Sequence, residues 1–361
     1  MHGRHLLLSL TLALGPALAA GAGEDAALAA WLESAHRQQA AHVAALEAAG
    51  DVESLLKAAF LVAPIAPESW DEAAQEALEA RRGELFEAAR AAGPDHPLVA
   101  WVAASCVHRA PGGECGTAED WARVEAVAAG GMHARLALYT AATRRGDGEA
   151  AERHWAQAAA ESRFRGAPEA MAELIWAAFD GLPVDEPEGS AAVAFAAASD
   201  GPVHAPMAHW KDVAAIAYLA AVPMPAYGLL YERCGVRAGN PAVDIDASLR
   251  AQCEHVFATM HTQGTNLLEQ MIAVRALHRL AASDEERARW DAAWVEARWL
   301  AEQWARSADR FRDEYTPDYT QTWREHGEAA VVRMILERLG EPTQPPPGWR
   351  QAGERAAATP D

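Results

Sequence analysis

Lysine is nearly absent from this 361-residue chain. Only Lys57 and Lys211 accompany 29 arginines, against 51 acidic residues, and the formal charge is −20. The shortage of cations argues against a nucleic-acid partner, which needs a basic footprint for its phosphates. It argues equally against docking on an anionic membrane surface. Long apolar runs are missing too. The run Leu6–Leu14 falls short of the ~20 residues a spanning helix requires. No later segment is apolar for long enough, so no stable membrane insertion of the mature chain is expected. Period-two alternation is scarce and β-branched residues are few, which disfavours a sheet protein. The chain also lacks a P-loop, a dinucleotide glycine fingerprint, an HExxH and a GxSxG elbow. Their absence weakens the case for an enzyme, and no cofactor is expected.

What remains is rich in helix formers. There are 88 alanines, and hydrophobic residues make up 51% of the chain, enough to build a core. Ser69 with Glu72, Asn266 with Glu269 and Ser283 with Glu286 have capping-box spacing. Thr316 before Pro317 reads as an N-cap followed by proline at the first helical position. Gly50, Gly93, Gly130-Gly131 and Gly340 read as stops. The pattern predicts helices near 24–48, 52–62, 69–92, 96–108, 117–129, 131–145 and 147–162. Further helices are predicted near 168–179, 190–199, 206–222, 246–261, 265–282, 284–307 and 318–339. Short links between them predict antiparallel hairpins.

The first residues read as a secretory signal. Arg4 with His2 and His5 forms a short positive region, Leu6–Leu14 is the apolar run, and Gly15-Pro16 breaks it. Ala17-Leu18-Ala19 supplies the cleavage pattern, with a cut after Ala22 as the alternative. The expected organisation is a signal peptide at 1–19, a helical-repeat region at 20–182, a proline-rich link at 183–206, a C-terminal helical region at 207–341 and an irregular tail at 342–361. Trp349 is placed to dock that tail. The mature chain is expected in the periplasm or outside the cell.

In such a compartment an even cysteine count points to disulfides. Cys106, Cys115, Cys234 and Cys253 allow three pairings, and the sequential one (106–115 with 234–253) closes the shortest loops. The competing reading is a zinc site built from Cys234, Cys253, His255 and His261. Helical spacing opposes it, because Cys253 and His255 point about 160° apart, and no metal site is expected.

Residues 131–165 have the shape of one helix-turn-helix unit. Gly146-Asp147 makes the turn, Ala151 and Trp155 follow four apart, and Ala158 comes three later. This resembles the tetratricopeptide-type repeat, in which small residues and an aromatic line the second helix. The segment departs from that family at Tyr139, where a small residue is usual, and in lacking a closing proline. A second copy is read over 96–129. Its Ala100-Trp101-Val102-Ala103-Ala104 precedes Leu138-Tyr139-Thr140-Ala141-Ala142 by 38 residues, while Ala122, Ala126 and Ala129 precede Ala151, Trp155 and Ala158 by 29. The difference falls in the turn that holds Cys106 and Cys115. The whole is also similar to exported bacterial proteins with degenerate helical repeats. The resemblance implies an all-α chain of antiparallel hairpins stacked as a TPR-like α-solenoid, with a C-terminal helical bundle, and binding of a protein or peptide partner.

Three constellations are candidates for chemistry. Trp290, Trp294, Ala297, Ala301 and Trp304 share one helical face and read as a core seam. Trp299 points to the opposite side and is the candidate binding residue, an aromatic platform unless a second neighbour covers it. His278 shares a face with Leu267, Met271 and Val274 and reads as a core histidine, while His204 and His209 lack companion ligands nearby. Asp309, Asp313, Glu314 and Asp318, beside Tyr315 and Tyr319, carry the alternative of a glycan-processing hydrolase with two carboxylates on a helical toroid. A structural envelope protein without a small ligand is the third reading.

Overall fold

Aspartate and asparagine side chains start several of the helices. The carboxylates of Asp51, Asp147 and Asp246 accept the N–H of Ser54, Ala150 and Leu249, and the Asn266 amide oxygen accepts that of Glu269. At Ser283 the cap side chain accepts the Glu286 N–H, while the Glu286 carboxylate takes the N–H of Ala282, one residue before the cap. Glycines at positive φ end or separate helices at Gly50, Gly146 and Gly340.

The computed structural model describes residues 22–350, except 64, 66–71, 106–115, 128–129, 165–166, 222–225, 237–244, 307–314 and 317. These residues contain sixteen α-helices and no strand. The expected signal segment, Cys106, Cys115, Ser69, Asp309, Asp313 and Glu314 lie outside them. None of the helices is long and apolar enough to cross a membrane.

The chain divides into two compact units. The first takes residues 1–93, 108–113 and 173–222, and the link expected at 183–206 lies inside it. It holds α1 (Ala22–Ala49), α2 (Val52–Leu61), α3 (Glu72–Ala92), the later part of α8 (Ala167–Asp180), α9 (Gly189–Ser199) and α10 (Pro206–Ala221). α1 packs on α2 and on α9, α2 on α3, and α9 on α10. Glu186 substitutes for a local cap at α10, its carboxylate accepting the N–H groups of Met207 and Ala208. Lys211 donates to the Leu182 carbonyl. Its ammonium pKa is lowered by burial, against the pull of the nearby Glu186 and Asp180 carboxylates.

The second unit takes residues 94–107, 114–172 and 223–361. α4 (Pro97–Ser105) pairs with α5 (Ala118–Val127), and α6 (Met132–Arg145) pairs with α7 (Gly148–Ala160). The second pair is the hairpin expected at 131–165. Gly146 holds φ 75° at its turn, and Tyr139 meets Trp155 edge-on at 5.4 Å. Trp155 Nε1 donates to Gln252 on α12 (Ala247–Gln263). α12 is tied to α11 (Tyr227–Arg233) by the Cys234–Cys253 disulfide, with Cα atoms 5.9 Å apart. Closing that loop contributes roughly 3 kcal/mol in the chain-entropy description. α11 has no counterpart among the predicted helices.

α13 (Leu267–Leu280) follows α12 and turns through residues 281–283 into α14 (Asp284–Arg306). The helix predicted over 318–339 is two: α15 (Asp318–His326) and α16 (Glu328–Arg338). Gly327 breaks it at φ 81°, ψ 177°, a region that only glycine occupies readily. The break lets the Glu328 N–H reach the Thr265 carbonyl at 2.7 Å. It also brings the Glu328 carboxylate onto the Leu267 N–H at the start of α13. α16 then lies against α14, and Trp349, from the irregular residues 341–350, packs on the apolar cluster these two helices share.

Candidate functional site

The α13–α14 hairpin is covered on one side and open on another. Leu267 of α13, Trp299 and Leu300 of α14, and Ala329, Val332 and Leu336 of α16 form a closed apolar cluster. Trp299 is 4% exposed within it. This corrects the expectation of a binding platform at Trp299: a platform needs a free ring face, and α16 covers this one. The predicted seam holds in part: Trp290 packs against the apolar cluster around α12 and α13, and Ala301 and Trp304 against that of α14 and α16. Trp290, Trp294 and Trp304 are half-buried, and only Ala297 of the predicted stripe is fully buried.

Beside Trp294 the hairpin opens into a groove of about 530 Å³. α13 presents Met271, Arg275, His278 and Arg279 to it, and α14 presents Asp291, Trp294 and Arg298. Offsets of three and four place each set on one helical face. The hairpin runs antiparallel, so His278 and Asp291 meet near the turn. His278 Nε2 lies 3.1 Å from Asp291 Oδ1 and forms an ion pair when the imidazole is protonated. Arg298 lies over the Trp294 ring, 5.5 Å from its centre. Arg279 Nη1 donates to the Val236 carbonyl at 2.9 Å, which holds its guanidinium at the rim. Arg275 is exposed between them. His278 was expected in the core with Met271. The buried face of α13 instead uses Leu267, Ala273, Val274, Ala276, Leu277 and Leu280, which turns His278 and Met271 to the groove.

Chemically the groove is a set of donors. Guanidinium groups donate and never accept, and indole adds one donor. Asp291, the one carboxylate among the described lining residues, lies opposite His278. With the imidazole neutral, the described lining residues carry +2 in a chain of −20. An acceptor-rich anion with a flat or apolar part fits such a surface. Sequence reasoning missed Arg275, Arg279, Asp291 and Arg298. The available signal was the pairing of an Arg-His-Arg face on one helix with an Asp-Trp-Arg face on the next.

The other candidates resolve into structure. Cys234 and Cys253 are bonded to each other, so they do not form the zinc set with His255 and His261. His255 Nε2 is at the Glu161 carbonyl, and His261 meets Trp290 edge-on at 5.7 Å. His204 is exposed and His209 half-buried. Among the described residues no three His, Cys, Asp or Glu side chains gather as a metal site. Asp318 is held by Arg338 and by the Thr316 hydroxyl, the hydroxyl first among the causes that lower its carboxyl pKa. Tyr319 lies under the Arg338 guanidinium at 5.2 Å and meets Tyr315 edge-on. Comparison with protein-family models, curated proteins and solved structures finds no match to this chain.

Proposed function

We propose that this chain is an exported, non-enzymatic binding protein of the cell envelope, with a protein or peptide partner. In this reading the α4–α5 and α6–α7 pairs are successive units of a tetratricopeptide-like array, and the α13–α14 groove is where the partner docks. The observation that carries the reading is that groove: three guanidinium groups and a half-exposed indole converge on one cavity of a strongly acidic chain. A positive site in a negative surround concentrates anionic partners locally and repels them elsewhere.

Site-specific cross-linking tests it. A photoreactive amino acid in place of Met271, at the groove wall, is expected to yield a discrete protein adduct in intact envelopes. Arg275→Gln combined with Arg298→Gln should reduce that adduct at least about fivefold, the equivalent of roughly 1 kcal/mol. No adduct, or one indifferent to the arginines, would remove the basis for the reading.

A further inference from the structure

The end of α11 braces the α13 wall of the groove, and this step rests on the binding reading above. We infer that the Cys234–Cys253 disulfide sets the α13–α14 groove: joining the two thiols makes the site competent for its partner, and the dithiol form of the chain does not hold that partner.

α11 has seven residues and no side-chain N-cap, too short a helix to keep its shape alone. Its end is built around Cys234. The N–H groups of Cys234, Gly235 and Val236 donate back to the carbonyls of Leu230, Glu232 and Tyr231. Cys234 and Val236 are buried, and Cys253 of α12 is bonded to this turn. The disulfide therefore fixes where the Val236 carbonyl and the Tyr231 side chain stand.

Both of these reach the groove wall. The Val236 carbonyl accepts from Arg279 Nη1 at 2.9 Å, and the Tyr231 hydroxyl donates to the Ile272 carbonyl at 2.6 Å. The two ties fall seven residues apart on α13, about two helical turns. They bracket the stretch that presents Arg275 and His278 to the groove, and Met271 stands next to the first of them. Arg279 acts here as a brace between α11 and α13.

The redox step is a thiol–disulfide exchange. One S–S bond forms between the Sγ atoms of Cys234 and Cys253. The two protons and two electrons pass to a disulfide oxidant, whose own S–S bond opens to two thiols. Both cysteines are at most 1% exposed, so an external thiol meets the bond only when this part of the unit opens. The disulfide works as a lock closed during maturation, not as a switch cycled in the folded chain.

The test compares the full chain with a Cys234→Ala, Cys253→Ala variant. It reads the Met271 cross-link in intact envelopes and hydrogen–deuterium exchange of the purified chain over residues 271–279. Without the disulfide the adduct should fall at least about fivefold, and exchange over 271–279 should rise about tenfold. A second variant, Arg279→Gln with Tyr231→Phe, keeps the disulfide and removes the ties. It should lower the adduct by a similar factor, and removing the cysteines from it should cost less than about twofold more. A bond that merely stabilised the unit would instead add its full effect. An undiminished adduct in either variant, unchanged exchange without the disulfide, or additive losses overturn the inference and leave the binding reading standing. If exchange in the cysteine-free chain rises equally over residues 148–160, that chain has lost its fold and the tie variant decides alone: a fallen adduct supports the inference and an unchanged one overturns it. No adduct from the parent chain removes the binding reading, and the inference with it.

Discussion

Replacing Gly327 by alanine should destabilise the second unit by about 3 kcal/mol or more. The backbone there sits at φ 81°, ψ 177°, and strain for a residue with a side chain in such a region is about 1–3 kcal/mol. The added Cβ would also stand 2.7 Å from the Thr265 carbonyl oxygen and 3.1 Å from the Thr265 Cα. Relief requires moving backbone, because no flexible side-chain end is the obstacle. Movement would pull the Glu328 N–H off Thr265 and the Glu328 carboxylate off the Leu267 N–H, both 2.7 Å bonds, the second worth about 1.5–3 kcal/mol as a bond to a charged group. Gly340→Ala is the matched control. It has φ 67° but nothing within 4 Å of the new Cβ, so only backbone strain of about 1 kcal/mol is expected. Urea unfolding of the two variants should separate them by about 2 kcal/mol. Equal losses would show that the close approach to Thr265 is not what requires glycine.

Acid should cost the protein stability through His133, beginning well above the carboxylate range. The ring is 5% exposed, between Trp101 at 5.9 Å and Phe164 at 5.7 Å. Among the described residues neither His133 Nδ1 nor Trp101 Nε1 has a hydrogen-bond partner. Burial therefore holds the imidazole pKa down at about 4, from 6.5 in the unfolded chain. A depressed folded pKa means the unfolded state takes up the proton first. The contribution is complete above pH 6.5 and is lost as pH falls from there to 4, by about 2–3 kcal/mol between pH 7.5 and 4.5. His42, His154 and His261 are lowered by burial in the same sense. The carboxyls of Glu269 and Glu328 are raised by burial and act oppositely, adding stability as pH falls. Denaturant unfolding of His133→Leu at both pH values isolates the one group. The variant should lose about 2–3 kcal/mol less than the parent chain across that interval. An identical pH dependence would mean that His133 is not titrating from a dry site.

Helix positions were largely legible because caps and stops are local. Asn266 with Glu269 and Ser283 with Glu286 act on their own helix, and the structure uses them as the spacing implies. The break at Gly327 was not legible, since a glycine within a helical pattern acquires its meaning only from Thr265, 62 positions away in sequence. α11 escaped notice because its seven residues carry no strong cap and no full apolar repeat. The groove was hidden for a related reason. The tryptophan stripe of α14 gives a plausible apolar face, but Trp299 and Leu300 are covered by α16 from the other side. Which face of a two-sided helix stays open depends on how many neighbours it has, and periodicity does not count neighbours.

That a protein or peptide partner docks in the α13–α14 groove is tested most directly by the cross-link from position 271 in intact envelopes. A discrete protein adduct is predicted, falling at least about fivefold when Arg275 and Arg298 are both replaced by glutamine. No adduct, or one indifferent to the two arginines, would contradict the account.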